Sequence, residues 1–339
     1  MKKYFMKQNK SPMLKRVCLC LGLLFFAVLF GICAGSEWIS PVNIISDFFT
    51  EGLSRNERII LYIRLPRILA SMLAGSALAA SGTIIQAVLG NPLAAPNIVG
   101  VNAGAGLFTV ICLAAFPAAV KLLPAAAFLG ALCAVLCVFG ISRKTGASRM
   151  TLILTGIGVS SLFNAVIDTV TTLYPDSLIG ISSFKIGGVS GITANSLFPA
   201  WIFIAVGILA AFCLGHDLDV LSLGENTARS LGMNVGVVRF VFLAIAALLS
   251  GAAVSFSGLI GFVGLVIPHI SRKIAKSSEN TVVLPLSVLM GGAFLTFCDT
   301  LSRVVAAPYE LPLGIIVSYI GVPFFIWLLL RKKEARHSD

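Results

Sequence analysis

The sequence predicts an all-α integral membrane protein with ten transmembrane helices, and three observations predict it. From Ile68 to Val120 the chain carries no Asp, Glu, Lys or Arg, and Gly90-Asn-Pro-Leu-Ala-Ala-Pro96 breaks that run midway. A bilayer core of ~30 Å needs about 20 apolar residues per helix, so the run is two crossings and a turn. Of the 339 residues, 58% are hydrophobic and 12% charged, with a mean hydropathy of +0.98; soluble domains run at roughly 25% charged. The basic residues also gather at the ends of apolar windows, so the net charge of +11 reports membrane sidedness rather than nucleic-acid binding.

Each element follows from its window. A basic tail (1–16) precedes the charge-free stretch 17–36, which mimics a signal peptide. That stretch is long enough to span and lacks a convincing small-x-small cleavage site, so it reads as an uncleaved first helix. Further windows lie at 66–86, 97–116, 122–142, 150–169, 197–215, 238–257, 259–272, 282–301 and 312–330, and a basic tail follows at 331–339. Residues 17–330 then form a single permease-like membrane domain with no appended soluble unit. Ten crossings put both tails on one side. That side, with the 143–149 loop, the 229–239 segment and the 272–276 loop, collects 18 Lys and Arg against six acids; the other holds seven against eight. Both termini are therefore cytoplasmic.

Two polar segments interrupt the pattern. Residues 171–196 are amphipathic and external, a short re-entrant or surface helix. Residues 216–236 form the one sizeable cytoplasmic loop, and it is not basic. There Leu221, Leu223, Ala228 and Leu231 are expected on one side of two short helices, broken at Gly224 and capped at Gly232. Such a pair is a docking surface for a soluble partner; the alternative is a solvated loop.

The chemistry left out is informative. No Gly-Lys-Ser/Thr occurs, so the chain has no P-loop. The eight cysteines lie in apolar segments, where free Cys packs as a small hydrophobe. The histidines (His216, His269, His337) assemble neither a metal cluster nor a catalytic triad. Asp168 and Asp299 fall at the outer ends of their helices, whereas ion-coupled carriers place carboxylates within the membrane. What remains is a permease energised from elsewhere, with an ion-coupled exporter or channel as the disfavoured reading.

At this point the motifs are recognisable. Arg64-Leu-Pro-Arg67, Gln86, Asn91-Pro92-Leu-Ala94, Gly258-Leu-Ile-Gly261-Phe-Val-Gly264, Pro268-His269-Ile-Ser-Arg272, Asp299, Arg303 and Glu310-Leu-Pro312-Leu-Gly314 closely resemble the FecCD family. These are permease subunits of type II ABC importers for iron-siderophores, haem and vitamin B12. The resemblance spans about residues 55–330.

It implies ten helices per subunit, a second permease subunit (homodimer or paralogue), two cytoplasmic ATPases and an extracytoplasmic substrate-binding protein. The chain itself would bind no cofactor; ATP and Mg belong to the ATPases. Asp217, Leu221, Leu223, Gly224, Ala228, Arg229, Leu231 and Gly232 match the family's coupling helices. Arg64, Arg67 and Arg303 match outer arginines that receive acidic side chains of the binding protein; the alternative is headgroup anchoring, which suits Arg55 and Arg58. The family's frequent Trp in the external helix is absent, and Phe184 with Gly187-Gly188 stands in. His269, next to Pro268 and Arg272, belongs to the motif whatever the cargo and is expected to be structural. Thr155, Ser160, Ser161 and Asn164 form a polar stripe on the fifth helix, lining either the pathway or a helix contact. The importer's cargo is expected to be an iron(III)-siderophore complex, with haem or vitamin B12 as the alternative.

Overall fold

The computed structural model describes residues 10–40, 54–116, 120–144, 149–175, 178–198 and 200–337. Residues 1–9 of the N-terminal tail, 145–148 of a basic loop, Asp176 and the last two residues lie outside the described residues. Regular structure among the described residues is helical: α1 (Lys10–Cys33), α2 (Arg55–Leu89), α3 (Val101–Ala115), α4 (Leu123–Lys144), α5 (Arg149–Leu173), α6 (Leu178–Ile186), α7 (Ala200–Cys213), α8 (Gly215–Ser222), α9 (Glu225–Ser230), α10 (Val235–Ser257), α11 (Val263–Ala275), α12 (Asn280–Val304) and α13 (Leu313–His337), with short 3-10 turns between some of them.

Among the described residues six helices are long and apolar enough to cross a bilayer, and the bent pair α7–α8 adds a seventh. The shorter apolar Val101–Ala115 and Leu313–Leu328, and the 13-residue α11, sit where the remaining windows were expected. The fold is an all-α, multi-span membrane fold.

Helix α2 is the hub. It begins further upstream than its charge-free window, because Ser54 and Glu57 form a capping box, with the Glu57 N–H donating to Ser54 Oγ and the Ser54 N–H to Glu57 Oε2. The helix then passes through Arg64-Leu-Pro66 without ending. A proline lacks an N–H and crowds the preceding turn. Here a π-helical turn over Ile60–Arg64 widens the ladder and absorbs it, with the Leu65 N–H donating to Ile60 O. In the apolar window of this helix 83% of residues are buried, against α10, α11 and α12. Small side chains (Ala70, Ala74, Ala77, Ala80) allow that close approach.

The α2–α12 contact is backbone to backbone. A Cβ added at Gly75 would meet Gly291 O, and one at Gly291 would meet Gly75 O. A second glycine pair, Gly104 and Gly130, brings α3 and α4 together in the same manner. Helix α1 lies along α12, its Cys20 packed on Ala275, Val283 and Leu286, and Arg16 donates to Ala275 O.

The 171–196 segment packs onto the bundle. The Leu259 N–H donates to Phe184 O at 2.9 Å and the Gly188 N–H to Ser257 O at 2.8 Å, so the end of α6 is stitched to the break between α10 and α11. A tight turn makes that break possible, with Gly258 at φ 65 and Phe262 at φ 61.

Gly291→Val forces α2 and α12 apart at their closest approach. We expect a loss of about 1–3 kcal/mol, the usual scale of overpacking, seen as a lower thermal unfolding midpoint in detergent; an unchanged midpoint would contradict the contact.

Candidate functional site

At the outer end of α2 and α12 the sequence brings three arginines and two acids together. Arg67 Nε donates to Asp299 Oδ1 at 2.8 Å, its NH1 to Glu310 Oε2 at 2.7 Å, and its NH2 to Ser302 Oγ at 3.3 Å. Arg303, one turn beyond Asp299, holds that carboxylate's other oxygen at 3.4 Å and donates to Gly31 O on α1. Arg64 donates to the carbonyls of Ile32, Cys33 and Glu37.

The three arginines expected to present outward forks are thus turned inward, only 4%, 5% and 4% exposed (Arg64, Arg67, Arg303). For Arg67 and Arg303 the physical reason is Asp299, wholly buried, whereas Arg64 is held by backbone carbonyls alone. A carboxylate there needs compensating cations, and the guanidinium fork supplies paired donors. Glu310 forms the accessible edge. It lines a cavity of about 320 Å³ with Arg67, Ser190 and Pro312 and accepts from Ser190 Oγ at 3.2 Å. Partial burial works against the Glu310 carboxylate, but the Arg67 hydrogen bond and charge hold it below the usual carboxylate range.

At the other end of the bundle, α8 and α9 form the expected pair of short helices, parted at Gly224 (φ 111) and closed at Gly232 (φ 83). The expectation of a single apolar side is corrected. Leu221 and Ala228 are fully buried, while Leu223 and Leu231 are each 64% exposed. Leu218 and Leu221 of α8 and Ala228 of α9 face inward, and the leucine beside each glycine faces outward. Asp217 sits half-buried in the first turn of α8, and Arg229 pairs with Glu225 at 2.6 Å.

Sequence reasoning missed what ties this pair to the bundle. Asp219 accepts from the Asn280 and Thr281 N–H groups, capping α12. Glu225 also pairs with Arg239 of α10, at 3.1 Å. Arg149, the first residue of α5, donates from NH2 to Leu221 O at 3.3 Å, at the end of α8. Their only signal was an acidic loop bounded by basic helix ends, which gives partners but not pairings.

Residues 23–331 match the model of the FecCD transport family. The chain belongs to that family. It is a permease subunit of an ABC importer, a multi-pass protein of the cell membrane. It is 34% identical to the Fe(3+)-citrate import system permease protein YfmD of Bacillus subtilis, over 97% of this chain and 98% of that one. It is 35% identical to the vitamin B12 import system permease protein BtuC of Vibrio cholerae, over 94% of each. Its structure superposes on one described as an inward-facing conformation of a metal-chelate type ABC transporter, with a TM-score of 0.84 and 26% identity over 94% of this chain and 99% of that chain.

The remaining motif residues of this FecCD permease sit at helix contacts. Gln86 Nε2 donates to Gly264 O at 3.2 Å, and Arg272 NH1 donates to Gln86 Oε1 at 2.5 Å, so one amide bridges α2 and α11. Asn91 shapes the turn ahead of Pro92, accepting from the Leu93 N–H at 3.0 Å. Gly90, at φ 59, leaves room for the Arg149 guanidinium. Gly314, at the start of α13 after Pro312, passes directly under Ile186 O, where a Cβ would collide. Gly261 lies in the α10–α11 break. Pro268 is buried within α11, and His269 packs edge-on to Phe324 of α13 at 6.0 Å. Among the described residues no group of three His, Cys, Asp or Glu could hold a metal. On α5, Thr155 is half-buried, Ser160 turns into a small cavity, and Ser161 and Asn164 are exposed.

Asp299→Asn leaves Arg303 without its counter-charge and Arg67 with Glu310 alone, and we expect about 3–5 kcal/mol of destabilisation, measurable as a lowered unfolding midpoint. The depressed Glu310 carboxylate contributes fully above the ordinary Glu range and loses that contribution as pH falls through its lowered value. Glu310→Gln should flatten the acid limb of stability against pH; an acid limb identical to that of the parent chain would refute the Arg67–Glu310 pair.

Proposed function

We propose that this chain is the ten-crossing permease of an importer for iron(III)-siderophore complexes, with both termini cytoplasmic. Two permease subunits, identical or paralogous, enclose the pathway; two ATPases seat on α8–α9, and a binding protein delivers cargo at the outer face. The arrangement of α8 and α9 carries the mechanism. Two exposed leucines face the cytoplasm while three polar ties run from the same short helices to α5, α10 and α12. Closure of the ATPases would displace the pair as a unit, and Arg149 would pass the movement to α5.

The stripe Thr155, Ser160, Ser161, Asn164 supports α5 as pathway lining, because the apolar window of this helix is only 22% buried. Its exposed polar residues Ser161, Asn164 and Asp168 stand among exposed apolar ones such as Leu162 and Leu173. At the outer face, docking by acidic side chains of the binding protein engages the edge where Arg67 and Glu310 meet. Arg64 and Arg303 hold that edge in place.

The iron reading of the cargo draws on relatives: the iron(3+)-hydroxamate import permease FhuG of Bacillus subtilis is 31% identical over 96% of this chain and 98% of its own length, beside the ferric citrate permease above. The vitamin B12 relative at 35% identity favours the second reading, a corrinoid importer; haem stands as a third.

Two experiments test this. In proteoliposomes, ATP-dependent cargo uptake should need the ATPase subunits; uptake by the permease alone would sink the ABC reading in favour of an ion-coupled carrier. In the full complex, Arg149→Gln should keep ATP hydrolysis while uptake falls about tenfold or more, the scale of one charge-assisted hydrogen bond. Uptake and hydrolysis falling in proportion would contradict a transmitting role for Arg149.

A further inference from the structure

Half-way along α5 lies a cavity that the coupling and docking machinery does not use. Its volume is about 170 Å³, and its polar lining is Asn97, Asn102, Ser160, Asn164 and Lys185. Ser160 is eleven positions from Arg149 in a 25-residue helix, about 16 Å along its axis at 1.5 Å per residue. Two broken elements reach that depth. The turn ahead of α3 puts Gly100 beside the Ser160 hydroxyl, so that a Cβ there would stand 3.5 Å away. The end of α6, stitched to Leu259, brings Lys185 to the opposite wall. Irregular backbone at such depth is tolerated where it lines a cavity, and it marks the site in many transporters.

The five polar side chains are unspent. Among the described residues none of them makes a side-chain hydrogen bond or ion pair, and Ser160 Oγ is buried without any partner. Among the described residues no carboxylate lines the cavity. Lys185 also borders a second cavity of about 560 Å³ between α6, the α10–α11 break and α13, so one residue lines both spaces. The Lys185 side chain is itself exposed, so its charge is open to an arriving anion.

We infer that this cavity is a transient cargo site that takes one anionic oxygen-donor arm, a carboxylate or catecholate, of the transported chelate against Lys185. The inference rests on the reading of α5 as pathway lining and adds the charge class of the cargo. Taking about 30 Å³ for a water, the smaller cavity has the room of roughly five or six. That suits one chelating arm, while the bulk of the complex occupies the larger space. The hydroxyl of Ser160 and the amides of Asn97, Asn102 and Asn164 supply donors that favour no particular chelator, and the lysine supplies the preference for negative charge.

The test uses the assembled permease–ATPase complex and needs no identified cargo. A thiol placed by Asn164→Cys is reacted with sulfonatoethyl and trimethylammonioethyl methanethiosulfonates, and labelling is counted above that of the parent chain. Relative to a free thiol in solution, the anionic reagent should gain about tenfold over the cationic one, as expected for a charge-focusing cleft. Lys185→Gln should abolish that gain and Lys185→Arg should restore it. Equal relative rates with lysine in place would overturn the anion site while leaving the pathway intact. No labelling by either reagent would mean that this face of α5 is closed to solutes, and the pathway reading would fall with it.

Discussion

A single buried carboxylate, Asp299, sets the geometry of the outer half of the molecule. In a low-dielectric interior an isolated charge of this kind is too costly to keep, so it persists only because Arg67 reaches it from α2 and Arg303 from its own helix. That requirement fixes the register of α2 against α12. The same two helices touch backbone to backbone at Gly75 and Gly291, two turns further in, and a one-turn slip would lose both contacts together. Arg303 extends the constraint to α1 through Gly31 O, and Arg67 extends it to the start of α13 through Glu310. Four helices are located by one acid.

The end that carries α8 and α9 follows the opposite design. No single buried charge dominates there; instead α8 and α9 hang from several partly exposed ties, each to a different helix. Asp219 grips the N-terminus of α12, where unpaired N–H groups and the helix dipole favour an anion. Glu225 is shared between Arg229 and Arg239, and Arg149 reaches a carbonyl at the C-terminal end of α8, where the dipole favours a cation. Apart from Arg239, which is buried, the side chains in these ties are partly or fully exposed, and exposed pairs contribute little to stability and are correspondingly easy to shift. A rigid outer clamp and a loosely tied inner lever suit a subunit that takes its energy from the cytoplasmic side.

How much of this was legible in the sequence depends on the range of the interaction. The apolar windows anticipated the helices, because span length and charge exclusion are local properties. The Arg64–Arg67 motif also stood out, but its direction did not. Whether a guanidinium points outward or inward depends on Asp299, 232 positions away, and no local pattern encodes that pairing. The continuity of α2 through Pro66 was hidden for a related reason, since a proline normally reads as a boundary and only the π turn before it removes the conflict. Leu221 and Leu223 looked alike in sequence; the turn at Gly224 decided which of them is buried.

The distribution of charge in depth closes the physical account. Arg67 and Arg303 share Asp299, Arg239 has Glu225, and Arg272 rests on the Gln86 amide at the inner end of α11. Each buried guanidinium is thereby held where the fold needs a fixed point. Lys185 differs in kind as well as in place. An ammonium is a compact, strongly hydrated charge on a flexible stem, able to follow a moving anion, whereas an arginine fork is suited to a fixed partner. A permanent acid beside it would form a competing ion pair and weaken any passing anion's attraction. A permease that must release its cargo needs an attraction that exists only while the cargo is present, and a lysine that lines both cavities and has no ion pair among the described residues supplies one.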